Sequence, residues 1–538
     1  MPDFVDVPLP AGGAQASPEG NVRGRRATLF AIGTGLALPM LARAASGPRL
    51  AEDPFTLGVA SGYPHPGGMV LWTRLAPRPV EPGGGMPAQG VPVEYTVAED
   101  DAMRRVVARG TVTARPENAH AVHAEPDGLA AGRWYWYRFT AGGWASPIGR
   151  TRTAPPAEAA AAGLSLDLAI ASCQQYEAGY YAAYRRIAAD APDLVVHLGD
   201  YIYEGGAGPS AVRRIPEPVP MTLDEYRVRH ARYRLDPDLQ RAHAACPWLL
   251  TWDDHEVEND YAASRSQNDD PPGWFMERRA AAYRAYYEHM PMPRRMLPMG
   301  PYMRLHTEVW HGRLARFFML DGRQYRTPQA CTPPGRGGGV PTDPGRCAEL
   351  HDTARTFLGQ QQRDWLFARL PVRPEAQWNV LCQQTLMQPA GLTWQGLPWV
   401  HTDGWDGYPV ERARLLAALA DARVANPVVL GGDVHAFYAC ALKQDNADPN
   451  SPVVASEFVC GAVTSPLPSA RYVQRVAEVH PAVRYTHTDK RGYLRMRISA
   501  TRLNAEVMGV TDVRRADSPV EVLARLEVAT GRPGPVVV

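Results

Sequence analysis

Residues 52–155 alternate between apolar and polar side chains with a period of two. The segments VPVEYTVAE (91–99), ARGTVTA (108–114) and RWYWYRFTA (133–141) carry β-branched and aromatic residues and are divided by Gly, Pro and Asp turns. No helical periodicity interrupts them, so this stretch predicts a small all-β N-terminal domain, an antiparallel sandwich. Nothing polar in it demands a chemical explanation. RTRTAPP (150–156) reads as a linker.

From residue 164 the pattern changes. LSLDLAIAS, APDLVVHLGD, CPWLLTWDD, RLARFFMLDGR, WNVLCQQ and NPVVLGGD are short apolar runs that end abruptly in polar residues. Helical patterns lie between them, at 180–191, 274–290, 359–370 and 411–425. Near-continuous apolar strands alternating with helices predict an α/β domain over 164–515 whose sheet is covered on both faces. Residues 516–538 are expected as a C-terminal tail. In such a fold, ligands bind beyond the carboxyl ends of the strands.

Composition narrows the class. The 538 residues are 45% hydrophobic and 21% charged, as in ordinary globular proteins. The net charge of +1 gives no general attraction to nucleic acid or anionic membrane. At the N-terminus, Arg25 and Arg26 precede an apolar run from Leu29 to Leu41 and then ARA at 42–44. This is the layout of an export signal, and the arginine pair fits the twin-arginine route, so residues 1–45 are expected to engage that translocase and to direct the chain to the periplasm or outside. The run is too short to span a bilayer, and no other segment is long and apolar enough. Of the seven cysteines, Cys331 and Cys347 flank a Gly/Pro-rich loop and are expected to pair.

Four predicted strand ends carry metal-ligand side chains. They are Cys173 in AIASCQQY, Asp200 and Tyr203 in VVHLGDYIYE, Asp253–Asp254–His255 in CPWLLTWDDHE, and Asp433 and His435 in VVLGGDVHAF. Each has an ordinary explanation: an aspartate after a strand caps or turns, a cysteine fills space, a tyrosine packs. Together, a thiol, a phenol, carboxylates and imidazole are the makings of a polynuclear metal site.

GDYIY, DDHE and GGDVH, with SCQQYEAGYYAAYRRIA, DGRQYRT (321–327) and WDGYP (405–409), resemble the blocks of PhoD-type alkaline phosphatases/phosphodiesterases, in the calcineurin-like metallophosphoesterase superfamily. The resemblance spans about residues 52–515. It implies a metallophosphoesterase β-sandwich flanked by helices and a hydrolase of small phosphate esters that scavenges phosphate. It also implies a ferric ion on Cys173, Asp200, Tyr203 and His435. Asp200 would bridge to a second site completed by Asp254 and Asp433, taking one or two calcium ions. His255 would assist the leaving group, Asn259 would touch metal or phosphate, and Arg323 would clamp phosphate or serve as an ordinary ion-pair residue. Glu256, Glu258 and Asp260 are expected to be supporting or solvated, and Asp253 either to take part or to cap. A phospholipase D-like diesterase and a non-catalytic metal- or phosphate-binding protein are the alternatives.

Overall fold

The computed structural model describes residues 49–206, 208–371, 376–394, 396–421 and 423–538, so the expected export signal at 1–45 lies outside the described residues. Seven strands deliver the strand ends of interest: β1 (Ser165–Ala171), β2 (Leu194–His197), β3 (Pro247–Leu250), β4 (Ala315–Met319), β5 (Trp378–Cys382), β6 (Pro427–Gly431) and β7 (Val453–Val459). Their residues are almost wholly buried, which explains apolar runs without alternation. β1, β2 and β3 are parallel neighbours at the centre of a ten-stranded sheet. β4, β5, β6 and β7 run parallel in a seven-stranded sheet.

The period of two within β4, β5 and β6 shows how the sandwich closes. Ala315, Phe317, Met319, Val380 and Val428 enter the same core as Val195 and Leu249 of the large sheet and Trp252 just beyond β3. Their neighbours Phe318, Leu381 and Val429 face the other way, into a core shared with Leu366, Leu415 and Val476 of three helices. The four helices expected from sequence form over Ala182–Asp190, Pro272–His289, Gln360–Arg369 and Pro409–Leu419. Cys331 and Cys347 are disulfide-bonded, and Cys173 is free.

Two boundaries differ from expectation. The N-terminal region is all-β, but it is not a separate sandwich. Its strands Val59–His65, Gly68–Arg74 and Ala121–Ala124 extend the large sheet, with Val59–His65 parallel to β3. Only its remaining strands form their own five-stranded sheet, packed on the extension through Met69, Leu71, Val93, Tyr137 and Phe139. Alternation reveals a strand, but its hydrogen-bond partner is set by distant chain. Residues 516–538 are no tail, because Val520–Ala529 and Arg532–Val537 are a hairpin closing the other edge of that sheet. Gly531 turns it with φ of 74°, and Pro533 and Pro535 blunt the edge.

Candidate metal centre

The ends of β1, β2 and β3 meet that of β6 from the facing sheet. At each end but β3's the chain turns so sharply that ligand-type residues adopt left-handed backbone: φ is 57° at Cys173, 55° at Asp200, 64° at Asp433 and 54° at His435. Such conformations cost on the order of 1–3 kcal/mol each in residues other than glycine and persist where surrounding structure holds them. Two glycines make the turns possible. A Cβ on Gly199 (φ 109°) would stand 2.5 Å from Asp253 Cβ, and one on Gly432 would stand 2.5 Å from Ser172 Oγ.

Ligand atoms of Cys173, Asp200 and His435 lie within 4.8 Å of one another. Tyr203 joins them, its hydroxyl donating to Asp200 Oδ2 at 2.8 Å and lying 3.2 Å from His435 Nε2. His435 Nδ1 is 2.8 Å from the Pro466 carbonyl, so Nδ1 carries the proton and the Nε2 lone pair faces the cluster. A second group, Asp200, Asp254 and His255, has the same compactness, so Asp200 belongs to both. Asp200 Oδ1 is buried with no hydrogen-bond partner among the described residues. A buried carboxylate oxygen left this way is expensive unless a cation answers it. Asp433 is held beside them by Thr385 Oγ1 at 2.6 Å.

Electrostatics support the same reading. Burial first, and then Asp200, hold the Cys173 thiol and the Tyr203 phenol well above their usual ranges. Burial pushes Asp433 up to about 6 and His435 down to about 4. Acceptors crowd here faster than protein cations can neutralise them. Soft thiolate with phenolate, imidazole and carboxylate suits a ferric-type ion, and the neighbouring carboxylates of Asp200 and Asp254 suit a hard divalent ion. The donor set therefore fits the expected metals.

His255 sits at the mouth, its ring 4.1 Å from that of Tyr203. Its Nδ1 lies 2.6 Å from Glu204 Oε2, while Glu204 Oε1 accepts from Asn259 N at 2.9 Å. Burial disfavours the His255 cation, but Glu204, Asp200 and Asp254 outweigh it and raise the imidazole well above its ordinary value. The Asn259 side chain is partly exposed at the same rim.

Of the two roles expected for Arg323, phosphate clamp or ion pair, its contacts are those of an ion-pair residue, though a buried one. It is completely buried, with Nη1 2.9 Å from Asp403 Oδ1, Nη2 3.5 Å from Asp254 Oδ2, and Nε on Asp253 Oδ1. It is the counter-charge beneath the carboxylates, and this pairing also gives Asp253 a role other than capping. Glu256 is not solvated: it accepts the backbone N–H groups of Asp200, Tyr201 and Asp253, which ties the β2 and β3 turns together. Glu258 is buried on Arg278. Asp260 groups with Asp254 and Asp403, and burial with those two carboxylates pushes it up to about 8. Glu204, Thr385 and Asp403 were not singled out in the sequence. Glu204 directly follows Tyr203, and Asp403 lies two residues before WDGYP, so proximity to a block was their only signal.

The chain matches the model of the PhoD-like phosphatase over residues 168–507 and that of the PhoD-like phosphatase N-terminal domain over 41–155. It is 43% identical to alkaline phosphatase D of Bacillus subtilis over 467 residues, which cover 85% of this chain and 78% of that protein. The solved structure of PhoD is similar with a TM-score of 0.86 and 41% identity, covering 91% of this chain and 93% of the other. A purple acid phosphatase from yellow lupin shares the fold at 10% identity, TM-score 0.53, with 88% of this chain and 73% of the other covered. With both family models matched in order along one chain, this protein belongs to the PhoD-like phosphatase family and is a phosphoric ester hydrolase.

Proposed function

We infer that this enzyme is an exported, metal-dependent phosphodiesterase and phosphomonoesterase that scavenges phosphate from small esters. The observation carrying the metal reading is the orphaned Oδ1 of Asp200, on a buried carboxylate that belongs to two ligand-rich groups. Cys173, Asp200, Tyr203 and His435 would hold a ferric ion. Asp200, Asp254 and Asp433 would hold the second site, which we assign to one or two calcium ions. When bound, these ions supply charge neutralisation at the phosphoryl oxygens and a water acidic enough to attack as hydroxide.

The chain's own groups do the rest. Ser465 Oγ and Asp200 Oδ2, each 2.8 Å from the Tyr203 hydroxyl oxygen, orient the phenol. Glu204 keeps the proton on His255 Nδ1, which directs Nε2 to the mouth as the donor to a departing alkoxide. Asn259 would contact the phosphoryl group at the rim. Arg323 holds Asp253, Asp254 and Asp403 at fixed spacing from below. Export rests on the arginine pair and apolar run of residues 25–41 and would use the twin-arginine translocase.

The test is turnover of a chromogenic phosphodiester and a monoester by purified protein during chelation and metal readdition. Loss and recovery of activity with metal supports the proposal. Full turnover after complete metal removal overturns it.

A further inference from the structure

Behind the candidate ligand Cys173 lies a polar chain that the proposed chemistry does not use. Ser172 Oγ is 3.2 Å from Cys173 Sγ on one side and 3.3 Å from Cys460 Sγ on the other. All three side chains are buried. Cys460 arrives from the end of β7, and its sulfur is also 3.4 Å from the Gly431 carbonyl. Ser172 has no slack: its carbonyl accepts from Val463 N at 3.0 Å, and any side chain at position 432 would strike its hydroxyl. The hydroxyl therefore has two sulfurs within reach and no solvent.

Proton counting fixes the direction of these bonds. A cysteine holding a metal is a thiolate, with no proton to give. The buried Cys460 thiol lies between Ser172 Oγ at 3.3 Å and the Gly431 carbonyl at 3.4 Å, so its proton is shared between these two acceptors. The charged sulfur of Cys173 is the stronger acceptor, so the Ser172 proton belongs there. We propose that Ser172 and Cys460 form a tuning relay in which Ser172 Oγ–H donates to the metal-bound thiolate of Cys173 and Cys460 holds the hydroxyl in that orientation. A hydrogen bond to a ligand sulfur withdraws electron density from it and so sets the metal's charge-transfer energy and reduction potential. Both residues act through Cys173 and are positioning residues. The relay rests on the reading of Cys173 as a metal ligand.

The experiment uses full-length protein matured through its export route and loaded with ferric iron. Cys173→Ser first identifies the sulfur-to-metal absorption as the band it removes. Ser172→Ala should then shift that band to longer wavelength and lower the reduction potential, while Cys460→Ala gives a smaller shift of the same sign. Because Ser172→Ala could fail to fold or load, the metal–sulfur stretch of the unaltered protein is also recorded in H2O and D2O. A deuterium shift supports the relay. An unshifted band in folded, loaded Ser172→Ala, or an unchanged stretch in D2O after full exchange, overturns the relay and leaves the metal reading standing. Absence of any band sensitive to Cys173→Ser overturns the metal reading, and the relay with it.

Discussion

Glu204 Oε2 lies 2.6 Å from His255 Nδ1, and its other oxygen accepts from Asn259 N at 2.9 Å, so one buried carboxylate fixes both residues of the mouth. This pairing makes leaving-group protonation depend on two residues. His255→Ala should lower turnover of esters with poor alkyl leaving groups by ~10²–10⁴-fold, the range of general acid catalysis. Esters of p-nitrophenol, which leave without help, should lose far less. Glu204→Gln should reproduce that leaving-group selectivity more weakly, and both variants should keep their metals. Steady-state kinetics across a leaving-group series, beside elemental analysis, reads this directly.

Arg323 should behave as a structural counter-charge. Removing it leaves Asp253 in the interior without a cation partner among the described residues, while Asp403 keeps Arg326, and an uncompensated buried charge costs about 3–5 kcal/mol. Arg323→Ala should therefore unfold at much lower denaturant. Arg323→Lys should be intermediate, because one ammonium cannot reach three carboxylates in the fork geometry. In the folded fraction of Arg323→Lys, KM should not rise selectively. A large rise in KM at unchanged stability would restore the phosphate-clamp role.

The centre was legible where the sequence changes character abruptly. An apolar run such as PWLLTW passing into Asp253, Asp254 and His255 marks a buried strand with a polar end, and Asp200, Tyr203 and His435 lie together there with Asp254 and His255. What stayed hidden depends on tertiary partners. Nothing local tells a clamp from a counter-charge at Arg323, because Asp403 lies 80 residues away. Sequence left Glu256 open between a supporting and a solvated residue, since its three backbone donors come from two separate turns. Within the closing hairpin Val520–Ala529 alternates in part while Arg532–Val537 does not, and its place at the sheet edge depends on pairing with Arg502–Val510.

Acid should destabilise the fold through buried neutral histidines. Burial lowers His123 to about 4 and His230 to about 3, and neither ring nitrogen of His230 has a partner among the described residues. Unfolding frees both to bind protons at their ordinary pKa of ~6.5. Their contribution is thus fully present above that value and is lost as pH falls toward 3–4. Tm measured from pH 8 to 4 should drop, and His230→Phe should flatten the slope. An unchanged slope would mean that other groups dominate.

The Cys331–Cys347 bond should matter beyond stability. It closes a loop whose ends are 16 residues apart, for which chain entropy predicts about 3 kcal/mol. Gly339 in that loop donates its N–H to Asp260 Oδ2 at 2.9 Å, so the loop also seats part of the carboxylate cluster. The double variant Cys331→Ser/Cys347→Ser should lose stability and part of its turnover together. Denaturant curves and kinetics on the same preparation check both.

The most direct test is elemental analysis of protein recovered from its export route, comparing the unaltered chain with Asp200→Asn and His255→Ala. Asp200 is shared by both ligand groups, so Asp200→Asn should lose iron and most of its second metal along with activity. His255→Ala should lose turnover of esters with poor leaving groups and keep both metals. Iron retained at full occupancy in Asp200→Asn, or an active unaltered enzyme carrying no metal, would contradict the proposed two-metal centre.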